Sequence, residues 1–229
     1  MEHQMPIKYD LKHVEIIYKA EFSPPLLEIA LPQYQAQLLK LLCKEFDLKF
    51  RDFVFNNQAI SSGLIYFRRF ITHAPEFFDA LIGADELKTS YVNPATKTKA
   101  WEPTLRLMDS LSRLGQLNLK TQTLTFNLHC LAATKTYSDF INDIVTFKKK
   151  ADIIISRGAT FFFQLPWPGC NLNMIFDRSM IVENGLFMQI HANFAESVQE
   201  YQTLFTDIVY ILKENIEPIF NIQLIYKEK

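Results

Sequence analysis

Residues 121–130 read TQTLTFNLHC, and this stretch decides the fold because polar and apolar side chains alternate along it. Successive side chains of a β-strand point to opposite faces of a sheet, so the alternation predicts a strand with one buried and one solvated face. The face turned to the core is expected to carry Leu124, Phe126, Leu128 and Cys130. The opposite face is expected to carry Thr125, Asn127 and His129.

The same pattern occurs at residues 13–22, which suggests that the chain contains two similar halves. Landmarks recur at offsets of 108 residues, from Asp10 to Asn118, and 109 residues, from Phe67 to Phe176. An internal duplication and a coincidence between two ordinary α+β halves both remain open. We expect one domain over residues 1–229, made of a first half at 1–91, a linker and helix at 92–117, and a second half at 118–229.

Helical and strand periodicities predict the remaining elements. The predicted helices begin at Pro32 and Pro75 and cover residues 103–114, 137–149 and 196–216, the last ended by Pro218. The predicted strands cover residues 50–57, 62–71, 159–166, 172–181, 185–194 and 219–226, with a hairpin turn at Asn184-Gly185. Neighbouring strands joined by hairpins predict an α+β fold, a mainly antiparallel sheet with helices on one face and a polar second face.

Composition restricts the functional classes. Apolar residues make up 48% of the 229 residues and the formal net charge is −1, so global disorder is not expected and nucleic acid is an unfavourable partner. No apolar run is long enough to span a membrane, and the N-terminus does not resemble a signal peptide. Three widely spaced cysteines predict free thiols and a cytoplasmic protein. Without phosphate-loop, dinucleotide or zinc-ligand motifs, we expect no cofactor and no metal.

Alternation places three groups with acid/base chemistry on the polar face. His129, His191 and Asp177 are all expected to point away from the core. On adjacent strands in register, a carboxylate beside an imidazole would raise its pKa and create a general acid or base. The alternative is a solvated sheet face that needs polar side chains for no catalytic reason.

Arg68 and Arg178 lie among aromatic and aliphatic residues in predicted strands. A guanidinium there needs a partner or solvent. One hypothesis is that these arginines bind a carboxylate or phosphate ligand; the other is that they form structural ion pairs or protect an edge strand from aggregation.

The stretch from Leu165 to Cys170 predicts a stiff loop that exposes Trp167, an aromatic side chain of the kind that binds protein partners. These observations favour a non-catalytic interaction protein that binds a protein partner or a second copy, as a homodimer. The alternative is an enzyme or a binder of small anions on the polar face of the sheet.

Overall fold

The structure is a computed structural model that describes residues 5–55, 65–70, 76–96, 100–145, 158–165, 170–194 and 200–227. Within these ranges ten strands form one sheet, and the α+β prediction is confirmed. The strands are β1 (Ile7–Phe22), β2 (Phe53–Phe55), β3 (Ile65–Phe70), β4 (Phe77–Ile82), β5 (Glu86–Val92), β6 (Leu119–Ala132), β7 (Ala159–Gln164), β8 (Cys170–Arg178), β9 (Leu186–Phe194) and β10 (Ile222–Ile225). The helices are α1 (Pro32–Phe46), α2 (Glu102–Ser112), α3 (Tyr137–Ile144) and α4 (Tyr201–Ile211).

The two long strands β1 and β6 pair at the centre of the sheet. The order across the sheet is β2-β3-β4-β5-β1-β6-β9-β8-β7, and all of these neighbours are antiparallel. The remaining strand, β10, pairs in parallel with the start of β1, where Ile7 lies opposite Ile222. The sheet therefore runs without interruption through both halves of the chain.

The core lies on one face of this sheet. In β6, Leu124, Phe126, Leu128 and Cys130 are buried, as the alternation predicts. The helices cover the same face with their apolar stripes, which in α1 consist of Tyr34, Leu38, Leu42 and Phe46. We call the opposite face, which no described helix covers, the open face.

The two halves have corresponding topologies. Moving outward from the centre, β1 is followed by β5, β4 and β3, whereas β6 is followed by β9, β8 and β7. The sequence landmark at Phe67 lies on β3, but its counterpart Phe176 lies on β8, which occupies the position of β4. This landmark pair is therefore not structurally equivalent, and the topology leaves the duplication hypothesis open.

The helix predicted to begin at Pro75 is wrong. Pro75 itself lies outside the described residues, but Phe77–Ile82 form β4, in which buried and half-buried side chains alternate. Period-two burial is the mark of a strand, and pairing with β3 and β5 on either side satisfies its backbone groups. Val92, assigned to the linker, ends β5.

The last helix does not end before Pro218. It continues from α4 through a π-helical segment at Leu212–Ile216, which we call the π segment, into an α turn at Glu217–Ile219. Pro218 lies at one of the first two positions of that turn, where proline is common. The final strand is consequently shorter than predicted, at Ile222–Ile225.

The Asn184-Gly185 hairpin is confirmed, but its connection is longer than a tight turn. The strands end at Arg178 and resume at Leu186. Asn184 adopts the left-handed conformation with φ 56°. A Cβ on Gly185 would lie 2.8 Å from the carbonyl oxygen of Cys130, so only glycine fits there.

Within the described ranges, none of the helices combines the length and apolar character that crossing a bilayer requires.

Candidate binding surfaces

The open face consists of side chains that line up strand by strand. One cross-sheet row passes through eight strands in continuous register. Its members, from one side of the sheet to the other, are Arg68, Asp79, Ser90, Ile17, Thr125, His191, Asn173 and Phe162. Charged residues lie on the first-half side of this row, whereas amides, hydroxyls and an aromatic ring lie on the second-half side. The face is therefore polar, as predicted, but unevenly charged.

Glu15 on β1 is the centre of a hydrogen-bond chain across this face. Its Oε1 accepts from Ser90 Oγ at 2.7 Å, and its Oε2 accepts from Asn127 Nδ2 at 2.9 Å. Asn127 Oδ1 in turn accepts from Gln189 Nε2 at 2.9 Å. The chain ties four adjacent strands together, and both carboxylate oxygens are occupied.

His129 is buried rather than solvated, with only 8% of its surface exposed. Its Nδ1 lies 2.8 Å from Ser179 Oγ, and the same Oγ accepts from the backbone N–H of Val182 at 2.8 Å. His129 therefore helps to fix the connection between β8 and β9. Its ring also meets that of His13, with centroids 5.5 Å apart.

Both histidines of this pair have lowered pKa values. Burial is the larger cause in each case. The pKa of His129 is lowered further by the charge of His13, whereas Glu15 partly opposes the shift at both rings. A neutral imidazole can still act as a general base at neutral pH. The expected effect, a carboxylate that raises the pKa of the imidazole, is outweighed here by burial.

His191 lies on β9, where its Nδ1 is 2.8 Å from Thr125 Oγ1. Burial lowers its pKa as well. His129 pairs in register with Phe187, four residues before His191 on β9. At the rise of a strand, the backbone positions of the two histidines are about 14 Å apart along the sheet.

Asp177 does not meet either imidazole. Asp177 on β8 lies opposite Phe187 on β9, and Phe187 lies opposite His129 on β6. Two strand spacings, about 10 Å, therefore separate Asp177 from His129. Its Oδ1 accepts from the backbone N–H of Arg178 at 2.6 Å. The geometry does not bring His129, His191 and Asp177 together as an acid/base site.

The two candidate arginines have different environments. Arg68 binds Asp79 on β4 through two bonds of 2.7 Å, and its guanidinium stacks 4.5 Å from the ring centre of Phe77. The structural ion pair is therefore present, with a partner from the neighbouring strand. Arg178 is exposed at the end of β8, where solvent can hydrate its charge without a buried partner.

Trp167 lies outside the described residues, but β7, just before it, is an edge strand. Phe162 on β7 is 77% exposed on the open face. None of the three cysteines, all of which the structure describes, forms a disulfide; Cys130 and Cys170 are buried, and burial raises the pKa of Cys130 to about 12. A buried, protonated thiol does not act as a nucleophile.

Sequence reasoning missed Glu15, His13 and Phe162 as site residues. The alternation in residues 13–22 already placed Glu15 on the polar face, but only strand order shows that Ser90 and Asn127 flank it. Strand alternation separates Phe162, which is exposed on the open face, from Phe161 and Phe163, which pack against the core.

Among the residues that the structure describes, no group of three His, Cys, Asp or Glu side chains is placed to hold a metal ion. No protein-family model matches the chain, and no curated protein matches it. Among solved structures, the RNA triphosphatase Pct1 of S. pombe is similar with a TM-score of 0.13 and 9% identity, covering 92% of this chain and 80% of that chain. A likeness this weak carries no information about this chain.

Proposed function

We propose that this protein is a non-catalytic interaction protein that associates with a second copy of itself through the outer edge of β7. The observation that carries the proposal is an uncharged, six-residue edge strand with an exposed phenylalanine. Three cysteines without disulfides also fit a reducing compartment, and we propose that the protein is cytoplasmic.

The two edges of the sheet differ in protection. At one edge β2 is only three residues long and follows the charged pair Arg51-Asp52, features that discourage pairing with another chain. At the other edge β7 reads Ala-Thr-Phe-Phe-Phe-Gln, without charge, proline or glycine. An unprotected edge of this kind is a template for another strand.

Backbone hydrogen bonding identifies which groups point outward from β7. Leu165 N–H donates to Cys170 O at 3.2 Å, directly across the pair formed with β8. Hydrogen-bonded and non-hydrogen-bonded positions alternate in antiparallel pairs, so Thr160, Phe162 and Gln164 direct their N–H and C=O groups to the outer edge. Among the described residues, no strand lies there.

This edge is self-complementary about a two-fold axis. An antiparallel pair centred on Phe162 would place this ring beside its copy and Thr160 opposite Gln164 on the open face. An aromatic pair and a hydroxyl–amide pair are favourable cross-strand neighbours. The closed two-fold arrangement explains why a second copy, rather than an open filament, is the favoured partner.

The test is the molar mass in solution, measured by light scattering during size exclusion across a dilution series. We expect a dimer for the wild type and a monomer for Phe162→Lys, which places a charge at the interface. The matched control is Val54→Lys on β2, where the side chain is also exposed and the dimer should persist. A monomeric wild type, or a dimer that survives Phe162→Lys, would rule the interface out.

A further inference from the structure

A cavity of about 340 Å³ lies between the core face of the sheet and the helices, away from the β7 edge. Its walls are mainly apolar and come from β1, β6, β10, the residues just before α2, and α4 with the π segment. The side chains that define it are Val14, Trp101, Phe126, Leu128, Phe205 and Leu212. The cavity opens to solvent on one side, as ligand pockets do, and is not an enclosed void of the core.

The size of the cavity suits a small organic molecule. An engineered apolar cavity of roughly 150 Å³ in another protein stays dry and binds benzene. The present cavity is about twice that volume and falls within the range of about 300–1,000 Å³ found for ligand pockets. An apolar body of medium chain length would fill it.

The mouth of the cavity contains the polar groups. Thr206 on α4 and Lys213 in the π segment line the cavity and are exposed to solvent. π-helical turns inside α-helices occur frequently at functional sites. Here the π segment contributes Leu212 to the wall of the cavity and Lys213 to its mouth.

Charge at the mouth indicates the head group of the ligand. Among the described residues, Lys213 forms no ion pair, whereas Glu217, which also lines the mouth, has an interaction of its own. The Lys213 ammonium is therefore available to pair with an anion. A carboxylate joined to an apolar chain would bury the chain and place its charge at Lys213.

We propose that this cavity binds a medium-chain carboxylic acid of the fatty-acid class, with its chain among Phe126, Phe205 and Trp101 and its carboxylate at Lys213. This binding site is independent of the β7 interface, so either proposal can fail alone.

The experiment measures binding of decanoate and its uncharged counterpart decanol to the full chain by titration calorimetry. We expect both to bind, and we expect Lys213→Gln to weaken decanoate about tenfold while leaving decanol unchanged, because it removes a charge-assisted contact. Lys40→Gln is the control, since this lysine is exposed on α1 and lies outside the cavity.

Val209→Trp, which projects a larger side chain into the cavity, should abolish binding of both probes. If that variant does not fold, Thr206→Trp closes the mouth from an exposed position and should give the same loss. Absence of binding to the wild type overturns the proposal. Binding that persists in the folded tryptophan variant overturns the location, and equal decanoate affinity in Lys213→Gln overturns the carboxylate class.

Discussion

The imidazole rings of His13 and His129 meet edge to face across β1 and β6, with their centroids 5.5 Å apart. Their positions are opposite each other in the register of the central strand pair. Two titratable rings in contact at the middle of the sheet make the stability of the fold depend on pH.

We predict that the free energy of unfolding falls as the pH is lowered from about 7.5 to about 5.5. The pKa values of His13, His129 and His191 are all lowered by burial from 6.5. As the pH falls, the histidines of the unfolded chain therefore bind protons before those of the folded chain do. The stability that is present above pH 6.5 is lost as the pH falls toward the pKa values of the folded state.

Urea unfolding across that pH interval checks this prediction. His13→Gln should flatten the dependence, because it removes one lowered pKa and the charge that depresses the pKa of His129. The pH interval from about 7.5 to about 5.5 stays above the range in which carboxylates titrate, so protonation of carboxylates does not obscure the effect of the histidines. A wild-type stability that does not change with pH would contradict the prediction.

We predict that Gly185→Ala destabilises the protein by about 1–3 kcal/mol. The added Cβ would lie 2.7 Å from Val182 Cβ and 2.8 Å from the Cys130 carbonyl oxygen, which belongs to the central strand β6 and cannot move aside cheaply. Gly115→Ala is the control, because the nearest atom to its added Cβ is Leu26 Cδ1 at 3.8 Å. Equal denaturation midpoints for the two variants would show that the hairpin connection adapts.

We predict different outcomes for two substitutions of Glu15. Glu15→Gln should change the unfolding free energy by less than about 1 kcal/mol, because the amide oxygen can accept from Asn127 while its nitrogen donates to the Ser90 hydroxyl. Glu15→Ala should cost about 1–3 kcal/mol, since it leaves the half-buried Asn127 donor without its acceptor.

Glu21→Ala provides the comparison, because Glu21 lies on the same strand and forms its ion pair with Lys19 near solvent, at 3.2 Å. Its effect, measured by the same urea titration, should be smaller than that of Glu15→Ala. Similar losses for Glu15→Gln and Glu15→Ala would mean that the charge, rather than the hydrogen-bond chain, stabilises the sheet.

Local periodicity predicted the elements with continuous patterns. The alternation in residues 121–130 identified the buried face of β6, and the spacing of Tyr34, Leu38, Leu42 and Phe46 identified that of α1. The prediction failed at Phe77–Ile82, where neighbouring strands on both sides satisfy the backbone and tertiary pairing overrides a proline that favours a helix start.

The sequence by itself determined which side chains of each long strand share a face, because strand geometry fixes that alternation within a few residues. Only the tertiary structure decided which strands are neighbours. That order joins Ser90, Glu15, Asn127 and Gln189, separates His129 from His191 and Asp177, and leaves β7 at an edge. Strand order depends on contacts between residues about a hundred positions apart, such as Ile17 and Thr125, and local periodicity contains no information about which of these contacts form.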